Sequence, residues 1–125
     1  MKPVYLLDSA ILIDHLRGIP DATKWLQRLH EGEAVISVIT RAEVMAGGTI
    51  EERAAAFDLC EQFECLPISK EIADYAADLR RTNRWKLPDA FQAALANDWN
   101  LRLVTRNTRD FKEKDHTFVL IPYRL

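Results

Sequence analysis

The chain has 125 residues, 48% hydrophobic and 29% charged, with 17 basic against 19 acidic side chains for a formal charge of −2. That is length for about one domain, and the balance excludes a disordered, collagen-like or low-complexity chain. The slightly acidic total speaks against a protein that coats nucleic acid by charge alone; a nuclease stays open, because its own carboxylates would offset a local basic patch.

Short apolar runs alternate with longer amphipathic ones. Val4 to Leu7 is a continuous apolar run suited to a strand buried on both faces, and it follows Met1 too closely to belong to a signal peptide. Ile11 to Leu16 and Ala22 to Leu29, the latter with Trp25, Leu26 and Leu29 at helical spacing, read as two helices broken by Gly18 and Pro20. Val35 to Val38 reads as a second strand, Arg41 to Ala46 as a helix stopped at Gly47-Gly48, and Glu51 to Phe63 as a helix with Ala55, Leu59 and Phe63 on one face. Cys65 to Ile68 reads as a short strand and Lys70 to Arg81 as a helix with Ile72, Ala76 and Leu79 inward. Pro88 suits a first helical turn, which opens a helix over Asp89 to Asn97; Leu101 to Val104 and Phe118 to Ile121 are the last strands. No apolar run approaches the ~20 residues of a membrane span, and no linker composition interrupts the pattern. The expectation is one α/β domain over 1–125, a mainly parallel central sheet flanked by helices, in the cytoplasm. Cys60 and Cys65 form no CxxC pattern and no His pair stands near them, so they read as reduced structural thiols.

The carboxylates carry the chemistry. Asp8 directly follows the first strand, Glu43 lies one helical turn after the second, Asp89 opens a helix, and Asp110 lies in the loop after Leu101 to Val104. In an open parallel sheet the carboxyl ends of the strands and the helix starts beside them line one crevice. Each acid also has a plain local role: Asp8 or Ser9 as an N-cap, Thr40 to Glu43 as a capping box, Asp89 as a first-turn acid, and Asn107 to Asp110 as an Asx-type turn. Together they converge on one sheet edge, where clustered carboxylates repel unless a cation is shared. Hard oxygen donors without His or Cys point to Mg2+ or Mn2+. One or two such ions activate water for in-line attack on phosphorus and neutralise charge on the phosphate, which makes phosphodiester hydrolysis the natural reaction.

The same residues carry a resemblance. Leu6-Leu7-Asp8-Ser9-Ala10-Ile11-Leu12-Ile13-Asp14 followed by Leu16-Arg17-Gly18, then Ser37 to Gly47, Leu87 to Ala96 and Leu103 to Phe111, resemble in order the four motifs of PIN-domain ribonucleases, particularly VapC-type toxins of toxin–antitoxin pairs. The resemblance implies a PIN-like domain and an Mg2+- or Mn2+-dependent endoribonuclease acting on RNA. It further implies a homodimer held inactive by a cognate antitoxin lying across the active-site groove. By position Asp8, Glu43 and Asp89 match the family's metal-binding acids, and Asp110 matches a fourth that varies in placement. Ala10 stands where the family often has Asn or Ser, and Asn107 where many relatives have Asp, so the fourth ligand stays open between Asp110 and Asn107.

Substrate cations are expected near this edge: Arg80, Arg81, Arg84 and Lys86 before the Asp89 helix, with Trp85 as a stacking surface, and Arg106 and Arg109, with Arg102, around the fourth motif. Ser9, Thr105 and Asn107 are candidates to support the acids or touch phosphate. His15, His30 and His116 lie outside the motifs and read as surface or satisfied residues. Two other readings are a phosphatase of the haloacid dehalogenase type, whose second Asp is here Ala10, and a PIN-like module that binds RNA or a partner without catalysis. Neither GxGxxG nor GxxxxGK[ST] occurs, which leaves no phosphate-cradling loop for a dinucleotide or nucleoside triphosphate.

Overall fold

The computed structural model describes residues 2–125. In chain order the elements are β1 (Tyr5–Leu7), α1 (Ser9–Leu16), α2 (Pro20–Gln27), β2 (Ala34–Ser37), α3 (Val38–Ala46), α4 (Ile50–Cys60), β3 (Glu64–Leu66), α5 (Lys70–Asn83), α6 (Leu87–Asp98), β4 (Arg102–Val104) and β5 (Val119–Leu120). The five strands form one sheet in the order β3-β2-β1-β4-β5, and every pairing is parallel.

Helices cover both faces, which is why the strands are apolar runs and not alternating ones. On one face Leu6, Val35, Leu66, Leu103 and Val119 meet α5 and α6 through Ile72, Ala76, Ala90, Ala93 and Leu95. On the other, Leu7, Ala34, Ile36 and Val104 meet α1, α3 and α4 through Ile11, Leu12, Val44, Ala56, Leu59 and Cys60. The small alanines of α6 let it lie close to the sheet and to α5.

Several boundaries differ from those expected, each for a local reason. β2 passes into α3 without a loop: Ser37 ends the strand and caps the helix, its Oγ accepting from the Thr40 N–H at 3.1 Å. Val38 is therefore helical, and the capping box expected from Thr40 to Glu43 does not form. The box sits instead at Thr49, with Glu52 reaching back to the Thr49 N–H at 2.8 Å. Pro20 starts α2 in place of merely breaking a helix. α4 stops at Cys60 because Gln62 and Phe63 close tighter three-residue turns on Leu59 and Cys60 to enter β3. Gly48 follows α3 at φ +80°, a turn where a Cβ would press on Glu52 at 3.1 Å. Both cysteines are free thiols. Among the described residues no helix is long and apolar enough to cross a membrane.

Candidate active site

Strand order reverses around β1 and β4, and the carboxyl ends of these two neighbours open the crevice where ligands sit in such sheets. Asp8 stands at that point. Its backbone N–H donates to Val104 at 2.9 Å, its Oδ1 accepts from the Ser9 N–H at 2.9 Å, and its Oδ2 accepts from the Thr105 hydroxyl at 2.7 Å. The N-cap role is thus real and coexists with the crevice position. Burial pushes the Asp8 carboxyl up, opposed by the Thr105 and Ser9 bonds and by the charge of Arg106.

Glu43 projects from the exposed side of α3, released from the cap by Ser37. Partial burial raises its pKa, the Asp8 charge adds to that, and the Ser9 hydroxyl opposes it. Asp89, half-buried in the first turn of α6, is pushed up to about 6 by burial first and then by the charges of Asp8, Asp110 and Glu43. A helix N-terminus alone would lower an acid's pKa, so the rise reflects burial and the carboxylates around Asp89. Asp110 is tied into its loop: its N–H donates to Asn107 Oδ1 at 3.2 Å, and its Oδ2 accepts from Asn107 Nδ2 at 3.0 Å. Both polar ends of Asn107 serve this Asx-type turn, while the Asn107 N–H rests on the Thr105 hydroxyl at 3.1 Å. Four acids therefore share one electrostatic field. They do not close on a common point: among the described residues no three His, Cys, Asp or Glu side chains stand at metal-holding distances.

The expected cations divide. Lys86 immediately precedes α6, and its charge partly offsets the rise at Asp89. Arg109 is 87% exposed, with only a 3.9 Å contact to Asp110. Arg84 is the left-handed residue ending α5 at φ 60°. Arg80 leans on the Trp85 carbonyl at 3.5 Å, and Arg81 pairs with Asp78 on the same helix. Arg106 is not a free substrate contact: its Nε and Nη2 grip Asp14 at 2.6 and 2.9 Å, and the Tyr123 hydroxyl joins the same carboxylate at 2.8 Å. Arg102 lies at the opposite edge, donating to the Val119 carbonyl. Trp85 is no stacking platform, because it is buried against Phe111 and His116 with its Nε1 donating to the Asp110 carbonyl. His15 is satisfied by Thr23 at 2.8 Å.

Sequence reading missed Asp14, Tyr123, Ser37 and Gln92. A polar residue inside the apolar run Ala90 to Ala96 was the available signal for Gln92; nothing local marked Tyr123 or Asp14, whose partners are 92 and 109 positions away. Two of the surface grooves flank the sheet near its helices. The larger, about 620 Å3, lies between α2 and the end of α4 at the edge away from the acids. The second, about 340 Å3, has Glu43 in its wall beside Ile13, Leu16, Val44 and Ala55, with Arg17 and Glu52 also lining it.

Known proteins resemble this arrangement in sequence and in fold. A family model described as the PIN domain matches residues 5–117. Ribonuclease VapC10 of Mycobacterium tuberculosis is 37% identical over 112 residues, covering 85% of this chain and 84% of that protein. A toxin–antitoxin complex from Klebsiella pneumoniae contains a chain with TM-score 0.88 and 34% identity, covering 97% of this chain and 99% of that one. FitAB bound to the IR36 DNA fragment shares the fold, with TM-score 0.82 at 23% identity over 98% of this chain and 97% of that one.

Proposed function

The chain belongs to the PIN-domain family, and from that premise we propose that it is an endoribonuclease dependent on Mg2+ or Mn2+, the toxin of a toxin–antitoxin pair. The observation that carries this reading is that Asp8, Glu43, Asp89 and Asp110 share the crevice at the carboxyl ends of β1 and β4, near enough that the charges of the other three add to burial in pushing the Asp89 carboxyl up to about 6. Four hard oxygen donors that repel one another fit a small divalent cation; Asp8, Glu43 and Asp89 would hold it, with Asp110 as the fourth. Asp110 is preferred to Asn107, because the Asn107 carboxamide is committed to the turn that orients Asp110. When bound, the ion supplies charge stabilisation and activation of water for in-line attack on an RNA phosphodiester. The protein's part is to present charged carboxylates in a fixed frame: Thr105 orients Asp8 and Ser9 favours the ionised Glu43. Lys86 and Arg109 offer cations to the RNA backbone, with Arg80, Arg81 and Arg84 further along that edge.

The groove beside Glu43 fits a segment of an antitoxin, apolar where Ile13, Leu16 and Val44 line it and polar at Arg17 and Glu52. A homodimer and a cytoplasmic setting complete the proposal. A phosphatase of the haloacid dehalogenase type is disfavoured by Ala10, and a binding-only module by the retention of all four acids. The antitoxin-free protein is expected to cleave RNA with Mg2+ or Mn2+, to stop in EDTA, and to recover when the ion is restored. Undiminished cleavage in EDTA would overturn the metal dependence; no cleavage with either ion would overturn the enzyme.

A further inference from the structure

Gln92 sits on α6 one turn after Asp89 and is 2% exposed, on a face otherwise made of Ala90, Ala93, Ala94 and Leu95. A carboxamide so buried is destabilising unless its polar atoms are partnered, and the partners here are specific. Its Oε1 accepts from the Ser37 hydroxyl at 2.7 Å, and its Nε2 donates to Thr40 Oγ1 at 2.6 Å. Thr40 in turn donates its only hydroxyl proton to the Leu7 carbonyl at 2.9 Å. The amide has one possible orientation, because a Thr40 oxygen already committed as donor to Leu7 accepts only from an N–H.

Each partner lies on an element that carries an acid. Ser37 and Thr40 open α3, which bears Glu43; Leu7 precedes Asp8; Gln92 itself follows Asp89 on α6. We infer that Gln92 is a positioning residue for the acidic centre, one carboxamide that pins β1, α3 and α6 together where they meet and so sets the spacing of Asp8, Glu43 and Asp89. An apolar side chain of similar size would fill the same core space without fixing that spacing.

The inference rests on the metal-dependent reading, and the test separates the two. Metal-free protein is titrated with Mn2+ by calorimetry, alongside melting temperature and the kcat and KM of RNA cleavage. Gln92→Met is expected to weaken Mn2+ binding about 10- to 100-fold, the range for residues that orient metal ligands, and to leave KM unchanged at saturating Mn2+. Thr40→Ser keeps the hydroxyl and is expected to bind like the parent. Val119→Ala, a core change on β5, is expected to lower the melting temperature with Mn2+ affinity unchanged. Gln92→Met binding Mn2+ as the parent does overturns the inference. Should that variant not fold, Thr40→Val removes both the bond to the Leu7 carbonyl and the acceptor of the Gln92 amide while leaving the Ser37 bond, and parent-like affinity there overturns it equally. A parent protein that takes up no Mn2+ overturns the metal-dependent reading and this inference with it.

Discussion

Asp89 occupies a first-turn helix position and at the same time feels the charges of three other acids. As a first-turn acid it is worth only ~0.3–1 kcal/mol through the helix dipole. Its pKa, raised from 3.8 to about 6, means that the folded state binds more protons than the unfolded chain between those values. Folding stability contributed at this group therefore falls as pH rises through that interval. Asp89→Asn is expected to gain about 1 kcal/mol in metal-free protein above pH 6, a figure reduced for its partial solvent exposure, and to gain little near pH 4. The same variant is expected to abolish RNA cleavage. Thermal melts across pH, paired with cleavage assays, check both; a loss of stability with activity intact would return Asp89 to a plain first-turn role in α6. Deprotonation must also precede metal uptake, so Mn2+ affinity of the parent is expected to fall as pH drops below about 6.

At the scale of elements, the segment after β4 is held from two sides. Thr105 faces Asp8, while Arg106 turns away to the buried Asp14 on α1, with Tyr123 beyond β5 closing the group. Pairing with Asp14 raises the Arg106 pKa, and the half-buried Tyr123 hydroxyl is raised above its ordinary value. Removing one partner of a buried ion pair leaves the other uncompensated, at about 3–5 kcal/mol. With the Arg106 side chain 34% exposed and Asp14 only 4%, Arg106→Ala is expected at the lower end, about 3 kcal/mol in denaturant melts. RNA affinity of the remaining folded protein is expected to stay near the parent value. A variant that keeps its stability and loses RNA binding would restore Arg106 as a substrate contact.

For the whole molecule the open question is association. Trp25, Leu26, Leu29 and Phe63 pack on the core beneath α1 and α4. Exposed large apolar side chains include Ile50, Phe57, Val38, Leu87 and Trp99, with Phe57 lying under the Arg41 guanidinium at 5.3 Å. A stable dimer buries roughly 800 Å2 per partner, about a tenth of the 7568 Å2 surface here. Sedimentation at micromolar concentration is expected to give the mass of two chains; a single-chain mass would count against the dimer.

Local rules made much of this protein legible. Apolar runs buried on both faces marked the strands, helical spacing and Pro88 marked α5 and α6, and the position of each acid after a strand or at a helix start placed four carboxylates on one edge. These features depend on neighbours a few residues apart, where period and capping chemistry decide. The partners of Asp14, Gln92 and Arg106 lie 52 to 109 positions away, and no local pattern ranks such pairings. Only the folded chain decided that Ser37 and not Thr40 caps α3, that Trp85 is interior, and that Arg106 answers a buried charge. The acids' mutual distances also belong to the tertiary structure, because they depend on how β1, α3 and α6 are locked together.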